Sequence, residues 1–235
     1  MRYALIGLMV LGLSACEVPS APPETPSPGI ASASPALSPD VAARNFLAVV
    51  DRVEPVAESM CRSRLPRENC DFKVVIDDRE GQGINAFQTL DRSGQPILGF
   101  TLGLILEARN PDEIAFVMGH EAAHHIEKHI PQTQSQAQAG AIAGALLGAI
   151  IGGGDPTAID QGLQLGSFVG ARRFSQDHEL EADALGTIIA ARAGYDPVLG
   201  SQFFGRIPDP GNQFLGTHPP NAARLATVRN VAAGL

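Results

Sequence analysis

The sequence predicts an α+β domain that is predominantly helical and carries one small sheet. Several long segments repeat apolar residues every three or four positions, which is the spacing of amphipathic helices. Three short runs rich in β-branched and aromatic residues lie between two of these segments, separated by turn-forming Asp, Gly and Ser. The first 39 residues fit neither pattern, so we expect one domain over residues 40–235.

The N-terminus is typical of a bacterial secretory signal covering residues 1–15. A single basic residue, Arg2, precedes an apolar run from Ala4 to Leu13. This run is too short to stay in a bilayer as a spanning helix of roughly 20 residues. The ending LSAC resembles a lipobox, in which Cys16 is lipidated and becomes the first mature residue. An ordinary cleaved signal peptide is the alternative.

The segment that follows Cys16 is mostly Pro, Ser, Ala and Gly up to residue 39, which predicts a semi-extended tether. The whole chain has 17 Lys and Arg against 25 Asp and Glu, and loss of Arg2 with the signal gives 16 − 25 = −9. An acidic chain without basic blocks argues against nucleic acid as a partner. It also argues against an anionic membrane surface as the main partner.

Two further cysteines lie in CRSRLPRENC. An exported protein meets an oxidising compartment, so Cys61 and Cys70 are a candidate disulfide that closes a short loop. Two buried free thiols are the alternative. A metal role is disfavoured, because no second Cys or His pair lies nearby in the sequence.

The first half of the domain is predicted to hold a long helix, the sheet and two more helices. DVAARNFLAVVDRVEPVAESMC has helical spacing, with a kink or interruption at Pro55. FKVVID, INAFQTL and PILGF predict the strands of a mixed or antiparallel sheet. TLGLILEAR predicts a short helix that stops before Asn110. Pro111 then begins a helix with an acidic first turn, which is expected to end near Pro131.

The second half begins with an unusual Gly-rich stretch, residues 132–154. Its apolar part, about Ala141 to Ile151, is too short to span a bilayer and too rich in Gly for an ordinary stable helix. It fits a mobile lid, a membrane-dipping element, or small residues that let two helices pack closely. Beyond it, AIDQGLQLGSFVGARRF, HELEADALGTIIAARAG and NAARLATVRNVAAGL predict three helices.

Four of the six histidines fall in VMGHEAAHHIEKHI, residues 117–130. His120 and His124 of this HExxH motif lie one helical turn apart on one face and can grip one metal ion. Glu121 lies between them, where it can act as general base toward a water molecule that the metal activates. His125 and His129 are predicted to be surface or outer groups, with a cationic His129 favoured at the C-terminal end of the helix. An amphipathic helix with exposed polar residues is the alternative without chemistry.

A catalytic zinc site requires a third protein ligand. The metzincin pattern fails, because Glu127 and Ile130 stand where it needs Gly and His. The downstream Glu of thermolysin-like enzymes is also missing, since residues 131–154 contain no acidic residue. Glu127 lies on the histidine face of the same helix, but three ligands from one straight helix rarely close round one ion.

The acidic residues of FSQDHELEADALG are the remaining candidates. Glu179 and Asp183 are i, i+4 on a predicted helix, so both can face the HExxH helix. Glu179 would then be the third ligand, and Asp183 would accept the outer N–H of a ligating histidine and fix its tautomer. Glu181 and His178 compete for the ligand role. A solvated acidic helix start is the alternative without a metal.

Together the two motifs resemble the HtpX and CAAX-prenyl-protease-like family of zinc metallopeptidases (gluzincins). The second motif, S-x-x-x-E-x-x-A-D, comprises Ser175, Glu179, Ala182 and Asp183. INAF before the site, the Gly of TLGLI, His129 and the late THPPNAARL also match, so the resemblance covers roughly residues 40–230. The chain is most similar to the exported bacterial branch related to BepA, without the C-terminal helical-repeat domain.

The resemblance implies a zincin-type metalloprotease domain, with the small sheet packed beside the HExxH helix. It implies one Zn²⁺ per chain, held by His120, His124 and Glu179. It gives His218, in the late His-Pro pair, a role in stabilising the oxyanion or gating the site. Arg224 matches an Arg of the family, without a role that the sequence defines.

The family also places its substrate along an edge strand beside the zinc, and Asn85, Ala86 and Phe87 occupy the matching stretch. Strand pairing of this kind gives weak sequence preference. The expected function is therefore a zinc-dependent endopeptidase of the cell envelope, acting on exported or misfolded polypeptides and anchored to a bilayer by its lipid. The alternative is a non-catalytic zinc-containing envelope chaperone or assembly factor on the same fold.

Overall fold

A computed structural model of the chain describes residues 37–173, 175–206 and 219–235. The predicted signal, most of the predicted tether, Cys16 and His218 lie outside the described residues. The chain from Pro35 to Leu235 forms one compact unit.

The architecture is α+β and predominantly helical, as predicted, with one three-stranded sheet among the described residues. The first half contains α1 (Pro39–Arg64), β1 (Lys73–Asp77), β2 (Ala86–Leu90), β3 (Pro96–Thr101), α2 (Leu102–Glu107) and α3 (Pro111–Ile126). The second half contains α4 (His129–Ile151), α5 (Pro156–Arg173), α6 (Ser175–Arg192), α7 (Pro197–Gly200), a 3₁₀ turn (Ser201–Gly205) and α8 (Asn221–Ala232).

The sheet is mixed, with strand order β1-β3-β2. β1 runs parallel to the central strand β3, and β2 runs antiparallel to it. β3 is the most buried of the three strands, and its side chains pack into the core with α1 and α3. β2 is left as an edge strand, which lies against the HExxH helix α3.

Helix α1 continues through Pro55, so of the predicted kink or interruption the interruption is absent. Pro55 lies on the exposed side of the helix, where water can satisfy the carbonyl left without its N–H partner. On the opposite side Val49, Val53 and Ala57 are fully buried. Burial of this apolar stripe outweighs one missing hydrogen bond, so the helix continues through the proline.

Helix α3 begins as predicted and ends earlier than predicted. The side-chain oxygen of Asn110 accepts a hydrogen bond from the Glu113 backbone N–H (3.0 Å) and caps the helix start. The helix ends at Ile126 instead of near Pro131, because Lys128 adopts a left-handed conformation (φ 62°) that redirects the chain. Pro131 falls in the first turn of α4, where its missing N–H would have no partner within the helix.

The Gly-rich stretch forms the continuous helix α4, although its composition argued against an ordinary helix. Its partner is α5, and the two pack as an antiparallel hairpin along a stripe of glycines. The structure therefore shows one of the three interpretations that the sequence left open, the close packing of two helices through small residues. No helix of the described residues is both long and apolar enough to cross a membrane.

A disulfide joins Cys61, near the end of α1, to Cys70. Both half-cystines are buried, and the loop between them leads the chain from α1 to β1. Closing this short loop removes conformations from the unfolded chain, which contributes on the order of 2–3 kcal/mol to stability.

The two motif-bearing helices, α3 and α6, cross in backbone contact. At the crossing Gly119 of α3 faces Gly186 of α6. A Cβ added to Gly119 would lie 2.8 Å from the Gly186 carbonyl oxygen, and one added to Gly186 would lie 2.8 Å from the His120 backbone nitrogen. The crossing therefore requires glycine on both helices, and His120 follows immediately after it.

We predict that Gly186→Val destabilises the fold and weakens metal binding. The added side chain meets backbone atoms that cannot rotate away, so overpacking should lower the free energy of unfolding by roughly 1–3 kcal/mol. Gly205→Val is the matched control, because a Cβ there meets nothing within 4 Å. Urea denaturation measures the stability, and equal midpoints for the two variants would contradict the proposed role of the crossing.

Candidate metal centre

Three side chains from α3 and α6 converge on one point. His120 and His124 present their Nε2 atoms 3.0 Å apart, as the i, i+4 spacing predicts. The Glu179 carboxylate lies 3.4 Å from His120 Nε2 and 3.3 Å from His124 Nε2. Among the described residues these three form the one cluster of three or more His, Cys, Asp or Glu that could hold a metal.

The geometry and chemistry of the three donors fit zinc. A tetrahedral zinc at about 2.0–2.1 Å from its ligands separates them by about 3.3–3.4 Å, close to the distances between these donors. Two imidazoles and one carboxylate are a common catalytic zinc set that leaves a fourth position open. The first two donors are imidazole nitrogens, and the third is a carboxylate beside them.

Asp183, one turn after Glu179 on α6, holds the outer nitrogen of His120. Its Oδ1 lies 2.9 Å from His120 Nδ1, so Nδ1 carries the proton and Nε2 is left free to bind. Asp183 is fully buried, and Arg224 of α8 donates to both of its oxygens (2.6 and 2.8 Å). The guanidinium also lies 3.7 Å from the centre of the Phe204 ring.

The outer nitrogen of His124 is held by a second chain of groups. His124 Nδ1 lies 2.9 Å from His129 Nδ1, and His129 Nε2 lies 3.2 Å from the Glu181 carboxylate. If His124 Nε2 binds a metal, one placement of the protons gives each group in this chain of contacts a hydrogen-bond partner. His124 then donates from Nδ1 to His129 Nδ1, and His129 donates from Nε2 to Glu181.

His129 is an outer group of the site, as predicted, but it is not a cation at the end of the HExxH helix. It is the first residue of α4 and does not lie at the C-terminal end of α3. Burial, together with the nearby His124 and His178, lowers the pKa of His129 to about 3, so the ring is neutral. The left-handed Lys128 places it there, because this one residue turns the chain back over His124.

The site has an excess of buried negative charge. Burial alone would lower the pKa of His120, but Asp183 and Glu179 outweigh it and raise that pKa to about 10. Burial would likewise raise the pKa of Glu179 and Asp183, yet hydrogen bonds and charge from the histidines and Arg224 hold both below their usual range. Without a metal a proton on His120 supplies positive charge, which a divalent cation can replace.

Glu121 lies beside the three donors but turns toward a cleft. It is buried, which raises its carboxyl pKa above the usual value. It lines two cavities that meet at the site, together with His124 and Glu179. One, of about 440 Å³, extends along the base of α4, and the other, of about 600 Å³, extends toward the 3₁₀ turn. An extended chain can therefore pass Glu121 from one cavity to the other.

The open edge of β2 runs along the same cleft. The Thr101 backbone N–H donates to the Asn85 carbonyl (3.0 Å), so Asn85 faces β3 and its neighbour Ala86 faces outward. The same alternation turns the peptide groups of Gln88 toward the open edge. Ala86 lines the larger cavity and Gln88 the smaller one. Of the stretch predicted for substrate contact, Ala86 turns its peptide groups toward the open edge, whereas Asn85 and Phe87 turn theirs toward β3.

The competing ligand candidates lie elsewhere. Glu127 forms an ion pair with Arg64 at the end of α1. His125 lies 2.8 Å from the Asn69 carbonyl oxygen through Nε2. His178 stacks on His129 with ring centres 4.4 Å apart, outside the three-donor group.

Residues 45–232 of the chain match peptidase family M48. The chain belongs to peptidase family M48. No curated protein shows a significant match to it. M48 peptidases are zinc-dependent metalloproteases, so an M48 domain with a His-His-Glu cluster is a metallopeptidase domain with a candidate zinc site.

Sequence reasoning missed two outer contacts of this M48 site. Glu181 was treated as a rival ligand, although it holds His129. Arg224 had no role, although it binds Asp183 and lies 3.6 Å from the Glu179 carboxylate. The i, i+2 spacing of Glu179 and Glu181 signals that they leave α6 in different directions, but the partner of Glu181 depends on the turn at Lys128.

We predict that Glu181→Gln weakens zinc binding by about tenfold, because outer partners of ligating histidines typically contribute 10- to 100-fold in metal affinity. Gln keeps the size of Glu181, and the residue is largely exposed, so the fold should be unaffected. Competition with a chromophoric chelator measures the affinity.

Asp177→Asn is the control, since Asp177 is exposed on the same helix and the substitution removes the same charge. Equal losses in both variants would mean that net charge, and not the contact with His129, sets the affinity.

Proposed function

We propose that this protein is a zinc-dependent endopeptidase of the cell envelope that hydrolyses exported or misfolded polypeptides. One observation carries the proposal: buried Glu121 lies in a cleft between three converging metal donors and an open strand edge. A purely structural zinc site has no need of this carboxylate or of a cleft.

His120, His124 and Glu179 would hold the zinc. When bound, zinc acts as a Lewis acid that polarises the scissile carbonyl and lowers the pKa of water. Asp183 and His129 keep the outer nitrogens of the two histidines occupied, so that both rings stay in the binding tautomer.

Glu121 serves as the general base in this proposal. Its carboxylate takes a proton from the attacking water and delivers it to the amine nitrogen of the leaving product. Burial disfavours the charged form of Glu121, which raises its carboxyl pKa and helps it to take up a proton. His218, which lies outside the described residues, is proposed to stabilise the oxyanion, as the family resemblance implies.

The substrate would bind as an extended strand along β2. Backbone groups of Ala86 and Gln88 would pair with its main chain, which fixes the peptide beside Glu121 without reading most of its side chains. An unfolded segment satisfies this requirement and a folded protein does not. Unfolded or misfolded proteins are therefore the proposed substrates.

The proposed location rests on the N-terminal sequence. A lipobox ending at Cys16 and a Pro- and Ser-rich tether support a lipoprotein on the periplasmic face. Glu17, rather than Asp, after the cysteine favours the outer membrane, by analogy with enterobacterial sorting. The Cys61–Cys70 disulfide suits such an oxidising compartment.

We predict that Glu121→Gln loses casein cleavage by at least about 10²- to 10⁴-fold, the usual contribution of a general base, and still binds one zinc per chain. Glu127→Gln is the control, because Glu127 directly follows helix α3, which contains Glu121. This variant should cleave casein at the rate of the unaltered protein. Cleavage by the unaltered chain and by Glu121→Gln at equal rates would remove Glu121 from the mechanism. Zinc without cleavage in the unaltered chain would favour the non-catalytic chaperone.

A separate prediction concerns the third ligand. Glu179→Ala should lose both bound zinc and cleavage, because two imidazoles alone hold zinc weakly. Zinc is counted per chain by elemental analysis after dialysis. Full zinc occupancy in this variant would contradict the assignment of Glu179.

A further inference from the structure

Helices α4 and α5 form an arm that stands apart from the core. They pack extensively on each other, and their contacts with α3 and α6 are few and lie at the base. Within α4, a helix of 23 residues, His129 at the base is the one buried residue. Apart from His129, the described residues of α4 are half-buried or exposed.

The arm has its small residues inside and its large apolar residues outside. Gly140, Gly144 and Gly148 of α4 meet the backbone of α5, and a Cβ on any of them would come within 2.0–2.2 Å of a carbonyl oxygen. Ile142, Leu146 and Ile150 lie on the side of α4 turned away from α5 and are 73%, 62% and 68% exposed. Soluble helical hairpins bury their large apolar residues between the helices, whereas helix pairs in lipid place small residues there.

The arm is also almost free of charge. Residues 132–154 contain no Asp, Glu, Lys or Arg, and Asp155 and Asp160 are the two charged residues from there to residue 171. An uncharged apolar shaft complements hydrocarbon, and its few acidic groups offer no attraction to anionic headgroups.

We infer that the arm inserts its apolar shaft into one leaflet of a bilayer. The apolar part, Ala141 to Ile151, is about 16 Å long at 1.5 Å per residue, which matches half of a hydrocarbon core of about 30 Å. Neither helix is long and apolar enough to cross the membrane. Helix α5 also carries exposed apolar residues, among them Leu163 and Leu165. A lipid phase would surround both helices of the arm, whereas a second copy of the chain would cover the arm on one side.

This inference extends the proposed envelope location and rests on it for the source of the bilayer. A lipid on Cys16 would hold the domain close to a bilayer, since Cys16 precedes residue 37, the first described residue, by 21 positions. The base of the arm lines the smaller cavity through Thr133 and Ala137. Insertion therefore holds the cleft within about 34 Å of the bilayer, the length of α4.

The test uses the chain from Glu17 onward, which lacks the predicted signal and the lipid-bearing Cys16 but retains the compact unit. The chain contains no Trp, so Leu146→Trp introduces a single fluorescent reporter at the centre of the shaft. Phosphatidylcholine vesicles with bromine on the acyl chains quench indole only inside the hydrocarbon. We expect loss of fluorescence for Leu146→Trp, insensitive to salt. Leu47→Trp, at a site of similar exposure (61%) on α1, should keep its fluorescence.

Leu146→Gln with Ile150→Gln should lower the fraction bound to the same vesicles by about tenfold or more, because both side chains lose apolar burial. Leu47→Gln with Ile76→Gln, exposed elsewhere, should not change binding. No quenching at position 146 overturns the inference. A dimer in lipid-free solution that the Leu146 and Ile150 substitutions dissociate also overturns it, in favour of a second copy as occupant.

Labelling of Cys16 with a radioactive fatty acid in cells tests the proposed anchor separately. If the chain is not lipidated but the Leu146→Trp fluorescence is still quenched, the lipid anchor is disproved and insertion of the arm stands.

Discussion

The site depends on the backbone contact of α3 and α6 at Gly119 and Gly186. Each helix brings part of a metal centre, and neither part binds a catalytic metal alone. His120 follows the crossing by one residue, and Asp183 and Glu179 precede it by one and two turns. Side chains larger than hydrogen at the crossing would separate the helices by more than the tolerance of a coordination sphere. The glycines thus set the distance at which two histidines and a carboxylate can share one ion.

The same centre also has an excess of buried negative charge, which a bound cation would offset. Three carboxylates, Glu121, Glu179 and Asp183, are buried close together, and among the described residues Arg224 contacts two of them. Buried anions are costly unless they are paired. A divalent metal neutralises the excess at Glu179, while Arg224 neutralises Asp183. This division leaves Glu121 outside both pairs, which supports the general-base role proposed for it.

The parts that sequence predicted well are those with local causes. The i, i+4 spacing places His120 and His124 together, and the three strands, the start of α3 and the helices α5, α6 and α8 follow from composition, periodicity and capping. The parts that it missed depend on contacts distant in sequence. Lys128 ends α3 early and delivers His129 to His124, and α5 stabilises a helix whose composition disfavours it. Pro55 is tolerated because the buried stripe of α1 outweighs one hydrogen bond.

The most direct test of this account locates the metal itself. Anomalous diffraction from crystals of the zinc-loaded protein, recorded above and below the zinc absorption edge, places bound zinc without reference to activity. The account predicts one peak per chain, at about 2.0–2.2 Å from Nε2 of His120, Nε2 of His124 and a carboxylate oxygen of Glu179. A peak coordinated instead by His129, His178 or Glu181 would contradict it.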